Sequence, residues 1–373
     1  MRILAGVVIV TGCHRGGGAT LARAQVDTLP GGVVRVRNSG PTAWTDTNGW
    51  RIVKVAERTF ALGSPGAMDH PNFPAPLADG SIVVINQKPL YARRYSATLE
   101  PLATFGRDGD GPGEFRSPFP IGNGDSVYIA DQHRARLIVY DTSGHFVREA
   151  PMPCCAHEGG DLDHRVVALT TAVGLDRDVV IWWDVEQGAA IDSAMPPAGP
   201  DPAMIQSCRF VLPFQPQQSV AAVAPGKAWW GISSDDRFVL TRHGDDTILF
   251  TSASRPRAPV ADSVVDKEFG PNSGLARLCG AIIDQSRIPR IKPAWNYIYA
   301  DAEGDLWVER SGRDRPSFDV YDLSGRWLGV VPSPFHGGES EWWHGDRIAS
   351  VDEHDDGSFT LRLYRIDRKE APR

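Results

Sequence analysis

The chain has 373 residues, 42% of them hydrophobic and 23% charged, with 38 Gly and 29 Pro, the make-up of a folded, turn-rich protein. Its formal net charge of -7 argues against a nucleic-acid partner, which would want a basic stripe, and its 33 Arg and 6 Lys are spread along the chain. The length exceeds what one core usually fills, a limit that a radial repeat of thin layers avoids.

At the N-terminus, Met1-Arg2 leads into an apolar run, Ile3 to Val10, too short for a membrane span but suited to a signal-peptide core. Val10-Thr11-Gly12-Cys13 resembles the bacterial lipobox, in which the Cys is diacylated and becomes the first residue. Ala22-Arg23-Ala24 offers the alternative of a plain signal cut. Either way the chain is expected to be exported, with residues 1-24 as leader and linker. If Cys13 carries lipid, Cys154, Cys155, Cys208 and Cys279 remain, an even number in an oxidising compartment. Pairing of Cys154 or Cys155 with Cys208 would staple neighbouring loops; buried free thiols are the other possibility.

Strand-like runs at Val33 to Val36 and Trp50 to Val55 precede the first recognisable unit. That unit starts near Phe73, with strands at Ser81 to Ile85, Tyr91 to Tyr95 and Leu99 to Phe105. The next is the most complete. A Gly-rich loop, Gly106 to Pro118, leads through Pro120-Ile121-Gly122 and a turn at Asn123-Gly124-Asp125 to Val127-Tyr128-Ile129-Ala130-Asp131. Arg136 to Tyr140, a turn at Asp141-Thr142-Ser143-Gly144, and His145 to Arg148 complete it. Short runs of Val, Ile, Tyr and Phe between Gly, Asn, Asp and Ser clusters predict antiparallel strands joined by tight turns. Four such strands make a propeller blade.

A third, worn unit has strands at Val166 to Thr171, Val179 to Trp183 and Ala189 to Ala194. A fourth runs from Ser219 to Ser252, a fifth from Tyr297 to Val331, and a sixth holds Arg347 to Val351 and Phe359 to Ile366. The sixth has room for N-terminal strands, which often tie a propeller closed. The two short turns of a unit lie 19 residues apart in unit two, 18 in four and 20 in five, as a shared four-stranded frame requires. Between units four and five, Arg255 to Pro293 breaks the pattern; Leu275, Leu278, Ile282 and Ile283 predict a short amphipathic helix, packed as a cap on one rim.

These residues carry a resemblance. The loop Gly111 to Phe115, with Val127 to Asp131, Leu137 to Asp141 and Gly144, is similar to an NHL-type repeat. Residues 50 to 367 resemble bacterial six-bladed, TolB-like β-propeller lipoproteins, most sharply in units two and five. The resemblance implies a fold and leaves the activity open.

In a four-stranded meander, first and third turns share one rim, so the longer connections gather on the other, where binding residues concentrate. There the candidates are Asp131, His133, Arg134 and Arg136, whose guanidinium groups would suit an acidic or sugar ligand, and Trp295, Trp342 and Trp343, which could stack on a sugar or peptide. Asp108, Asp110 and Glu114 lack the remaining ligands of a calcium loop. The group Cys154, Cys155, His157, Asp161, Asp163 and His164 lacks the paired spacing of a zinc site. No nucleophile elbow, phosphate loop, dinucleotide fingerprint or zinc-protease motif is present.

The sequence thus predicts an all-β chain: a six-bladed β-propeller of four-stranded antiparallel blades over residues 25-367, a helical insertion between blades four and five, and a tail at 368-373. Its expected role is an exported, lipid-anchored module of the cell envelope, facing the periplasm, that binds a protein, peptide or glycan and needs no cofactor. The alternative is a calcium- or zinc-dependent propeller hydrolase or lyase of the lactonase type.

Overall fold

A computed structural model describes residues 23–39, 42–44, 49–123, 126–153, 156–163, 166–173, 177–195, 204–205, 210–241, 248–251, 257–280, 282–310, 316–335 and 340–368. Six antiparallel meanders follow one another along the chain, and their first strands lie side by side around a central channel. The protein is a six-bladed β-propeller. Blade one spans Pro71 to Phe105, blade two Pro118 to Pro151, blade three Ala156 to Ala194 and blade four Gln218 to Thr251. Blade five spans Ile298 to Pro332 and blade six Ser340 to Asp367.

The strands form where β-branched and aromatic residues cluster, and those residues fill the blade interfaces. Ile82 to Ile85 and Val127 to Ala130 are buried along their whole length, because a middle strand has a blade on each face. Six apolar clusters result, one between each neighbouring pair of blades. Leu77, Phe105, Phe115 and Tyr140 join blades one and two; Phe119, Leu137, Val167 and Leu169 join two and three. Trp182 and Trp230 join three and four, Trp229 and Leu306 four and five, Trp307 and Ile348 five and six, and Phe359 and Ile82 six and one. A buried side chain of this size contributes about 1.5–3 kcal/mol, so the ring is held by packing repeated at every interface.

The N-terminal segment ties three blades together. Strands β1 (Arg23–Thr28) and β2 (Val34–Ser39) form a ribbon. β2 pairs parallel to the outer strand of blade four, with Arg37 opposite Thr251, so that sheet has six strands. Trp44 then crosses blade five, donating its N–H to the Leu328 carbonyl at 2.9 Å and packing where Gly329 has no side chain. Strand β3 (Arg51–Phe60) finishes as the outer strand of blade six.

Two inner strands differ from the sequence reading. Ala156–Asp163 is the first strand of blade three, and Ser340–His344 the first of blade six; the sequence reading names no strand at either place. The insertion is helical, as predicted, but as two helices, α1 (Asp262–Phe269) and α2 (Gly274–Cys279). Val265, Ala276, Cys279 and Ile283 pack inward against Ile205 and Leu212, whereas Leu278 and Ile282, expected on the packed face, point outward. The helix ends at Gly280 in a left-handed cap, which takes Ile282 and Ile283 off the helical spacing, whereas Leu278 lies within the helix, away from its buried side at Ala276 and Cys279.

Candidate functional site

Asp131 ends the second strand of blade two and is wholly buried. Its Oδ1 accepts the backbone N–H groups of Arg116 at 3.3 Å, Ser117 at 3.1 Å and His133 at 3.3 Å, and its Oδ2 lies 3.6 Å from the Arg136 Nε. Arg136, also buried, donates to the Glu149 carboxylate at 2.6 Å and the Glu114 carbonyl at 2.8 Å. The two side chains form a clasp that fixes the Gly-rich loop to its blade. His133 and Arg134 are exposed on the rim beside it, with Arg134 donating to the Asp110 carbonyl. The four candidates are neighbours, but only the second pair meets solvent.

The loop itself spends its carboxylates internally. Glu114 accepts Arg107 Nε and the Gly111 N–H, each at 2.7 Å, and these bonds hold its carboxyl below the usual range. Asp110 is gripped by both ends of Arg116, at 2.9 and 2.8 Å. Phe115 is fully buried, as an anchor. Of the Cys- and His-rich stretch, Cys154, Cys155 and His164 lie outside the described residues. Cys208 and Cys13 do too. Cys279 is disulfide-bonded, and the other cysteines all lie outside the described residues.

The three tryptophans are placed apart. Trp295 is fully buried between blades four and five, its indole N–H donated to the Asp235 carbonyl at 2.9 Å. Trp343, on the inner strand of blade six, stacks on Tyr299 with ring centroids 4.4 Å apart and packs on Trp307 and Phe318. Trp342, one residue earlier, lies on the opposite face of that strand. It meets Phe73 of blade one edge-on at 5.8 Å and packs on the cluster shared by blades two and three. One indole therefore reaches from blade six past blade one to blade two, across the channel.

Beside it, at the long-loop mouth of the channel, the Tyr299 hydroxyl donates to Glu341 at 2.8 Å and Asn296 donates to Glu309 at 3.3 Å. Burial pushes the Glu309 carboxyl up, and burial together with the charges of Glu341 and Glu309 pushes the Tyr299 hydroxyl well up. On the opposite rim, Asp305 is pushed up to about 7, first by burial and then by the charges of Asp301, Asp322 and Glu303. Arg368 stands close by, 2.7 Å from Asp301 and over the ring of Trp50 at 4.8 Å. Among the described residues no three His, Cys, Asp or Glu side chains converge as metal ligands would.

A feature absent from the sequence reading is a groove of about 600 Å³ between the N-terminal ribbon and the third turn of blade five. Ala24, Val26, Val34, Val36 and Leu323 form its floor, and Asp322, Ser324 and Arg326 its margin. The ribbon presents these residues together because they alternate along two paired strands, Val26 opposite Val36. Val26 is 64% exposed, an apolar side chain held open on an edge strand. The period-two pattern in Ala24-Gln25-Val26 and Val34-Arg35-Val36 is the signal that marks this face.

No protein-family model and no curated protein matches the chain. Among solved structures it is similar to an exported protein from Bacteroides fragilis, at 13% identity and a TM-score of 0.48, over 90% of this chain and 99% of that one. A DUF4221-family member from Bacteroides vulgatus matches at 9% identity, 0.47, 86% and 99%. BamB from Moraxella catarrhalis matches at 10% identity, 0.37, 84% and 99%. Likeness at this level assigns neither a family nor an activity.

Proposed function

We propose that the chain is an exported β-propeller, lipid-anchored through Cys13 in the manner of the TolB-like lipoproteins it resembles, and that it acts as a protein-binding module of the cell envelope. Trp342 carries this reading. An apolar indole packed across the channel onto Phe73 and the blade-two cluster occupies the place where a channel-mouth enzyme would gather single polar residues from several blades.

The leader is read as a lipobox because Arg23 and Ala24 are paired with Ser39 and Asn38 in β1. A cut after Ala24 would remove both from the strand, whereas processing at Cys13 leaves the ribbon whole.

The groove is the proposed binding surface, and an extended segment of a partner protein is its proposed occupant. Among the described residues, the outer edge of β1 pairs with no other strand. A segment laid along it would add main-chain hydrogen bonds and drop alternate apolar side chains on the valine floor. Arg326 and Asp322 would read the charge of flanking residues. His133 and Arg134, exposed on the other rim, are the sequence candidates left open to a second contact.

Peptide-phage selection on the chain from His14 onward tests this. Selected sequences should alternate apolar and polar residues, and their binding should fall at least about tenfold on Val26→Arg. Peptides indifferent to that change, or lactone hydrolysis supported by a stoichiometric tightly held metal, would overturn the reading.

A further inference from the structure

Resting on the groove as the binding surface, we infer that its occupant is a second copy of this chain: two β1 strands pair antiparallel about a two-fold axis at Gln25. Sheets guard their exposed edges with bulges, Pro or Lys, and five of the six blades do so. In blades one, two, three, five and six the outermost strand carries one extra residue against its neighbour, as where Arg94 faces Ala103 but Tyr95 faces Pro101. The sheet of blade four ends differently. β1 and β2 keep one register from Arg23 opposite Ser39 to Thr28 opposite Val34, and Arg23–Thr28 contains neither Pro nor Lys. This edge alone is straight and unguarded.

Backbone phase sets what a second strand would meet. The Leu29 N–H donates to the Val33 carbonyl at 2.8 Å, one step beyond β1 in the same register. By antiparallel alternation Asp27, Gln25 and Arg23 bond to β2, while Thr28, Val26 and Ala24 turn their N–H and C=O groups outward. Among the described residues no strand meets them.

Charge selects the second copy and its register. Arg23-Ala24-Gln25-Val26-Asp27 alternates polar and apolar residues and has opposite charges at its two ends, so it complements itself when reversed. Centred on Gln25, the pairing sets Ala24 opposite Val26, outward-turned positions that bond to each other, and Arg23 opposite Asp27 at each end. Centred on Val26, it would set Gln25 against Asp27 and leave Arg23 without a carboxylate. Asp27 can take the second cation: Arg35 at 2.8 Å and Arg37 at 3.4 Å both approach its Oδ2, and among the described residues its Oδ1 accepts no hydrogen bond. On the other face of the strand, Ala24 of each copy comes beside the exposed Val26 of the other, and the two valine floors join.

Sedimentation of the chain from His14 onward tests this. One pair of short strands is a small interface, so the mass should rise from one chain towards two as concentration passes through about 1–100 µM. Val26→Pro deletes an N–H that faces outward and spares the bonds between β1 and β2; it should weaken the dimer at least about tenfold and leave the melting profile unchanged. Arg23→Asp sets like charges at both ends and should weaken it too, less so at high salt. Gln25→Cys reads the register: at the axis the two Cα atoms of a non-hydrogen-bonded pair lie about 4.5 Å apart, so oxidation should link two chains, whereas Thr28→Cys should not. Phage-selected groove peptides should dissociate the dimer, because both need the same edge. A monomer throughout, a dimer that ignores Val26→Pro and is not linked through Gln25→Cys, or peptides that bind without dissociating it overturn the inference. The groove reading survives that result if the selected peptides are still lost on Val26→Arg, and falls with it if they are not.

Discussion

The side-chain oxygen of Asn38 accepts the backbone N–H of Trp327 at 2.9 Å across 289 residues of sequence, while its Nδ2 donates to the Gly325 carbonyl at 2.8 Å. The ribbon is thereby pinned to blade five at the groove. Asn38→Ala would leave one N–H and one carbonyl at a buried site unpaired, each costing about 1–3 kcal/mol. Urea unfolding should show a loss of about 2–4 kcal/mol and a weaker hold on groove-binding peptides. An unchanged midpoint would mean that the ribbon is held by its strand pairing alone.

Asp131 and His133 should separate in the same way that their burial does. Asp131→Ala removes the acceptor for three backbone N–H groups and leaves Arg136 beside an empty place, a loss of about 2–4 kcal/mol. Asp131→Asn keeps an oxygen for those donors and should cost less. His133→Ala and Arg134→Ala, at exposed positions, should stay within about 0.5 kcal/mol. Equal destabilisation by all four changes would count against the clasp.

Arg310 joins blades four and five through a buried network. Its Nε donates to Asp319 at 2.6 Å and its Nη1 to Asp236 at 2.5 Å, with the Tyr321 hydroxyl at 3.4 Å. Asp319 is 1% exposed. Arg310→Met would take the guanidinium from between Asp319 and Asp236 and should cost about 3–5 kcal/mol; adding Asp319→Leu should restore part of it. Arg310→Lys should also destabilise, since one ammonium cannot meet three separate partners in a fork. A double variant no more stable than Arg310→Met would show that the loss does not come from the Asp319 charge.

What could be read from the sequence follows from what is local. Val127 to Ala130 and Leu306 to Val308 announce themselves as strands because both faces are buried, and the Asp-Gly and Ser-Gly turns fix their spacing. The inner strand Ala156–Asp163 is hidden by two glycines and four charged or imidazole residues; its strand pairing, not its composition, makes it β. Ser340–His344 is hidden because two adjacent tryptophans read as a rim feature, yet on a strand they point to opposite faces, one to blade five and one across the channel. The parallel pairing of β2 with blade four joins residues more than 200 positions apart, and no local signal states such a partner. Asp131 and Arg136 were found by type, but burial changed their meaning from ligand contacts to a clasp.

Asp305 should make stability fall as pH rises through neutrality. Its folded carboxyl is pushed up to about 7 from 3.8 by burial, with Asp301, Asp322 and Glu303 adding to the rise and Arg368 opposing it. Between those values the folded chain holds a proton that the unfolded chain has released, so the contribution to stability is fully present below about pH 4 and lost as pH passes about 7. Asp305→Asn removes the titration while keeping the shape. Its stability should match wild type in acid and exceed it by on the order of 2–4 kcal/mol above neutrality. Thermal melts of the two proteins across this range check the prediction. A gap that does not change with pH would show that Asp305 is already ionised beside Arg368, and that the acidic turns of blade five are neutralised by that guanidinium rather than by a proton.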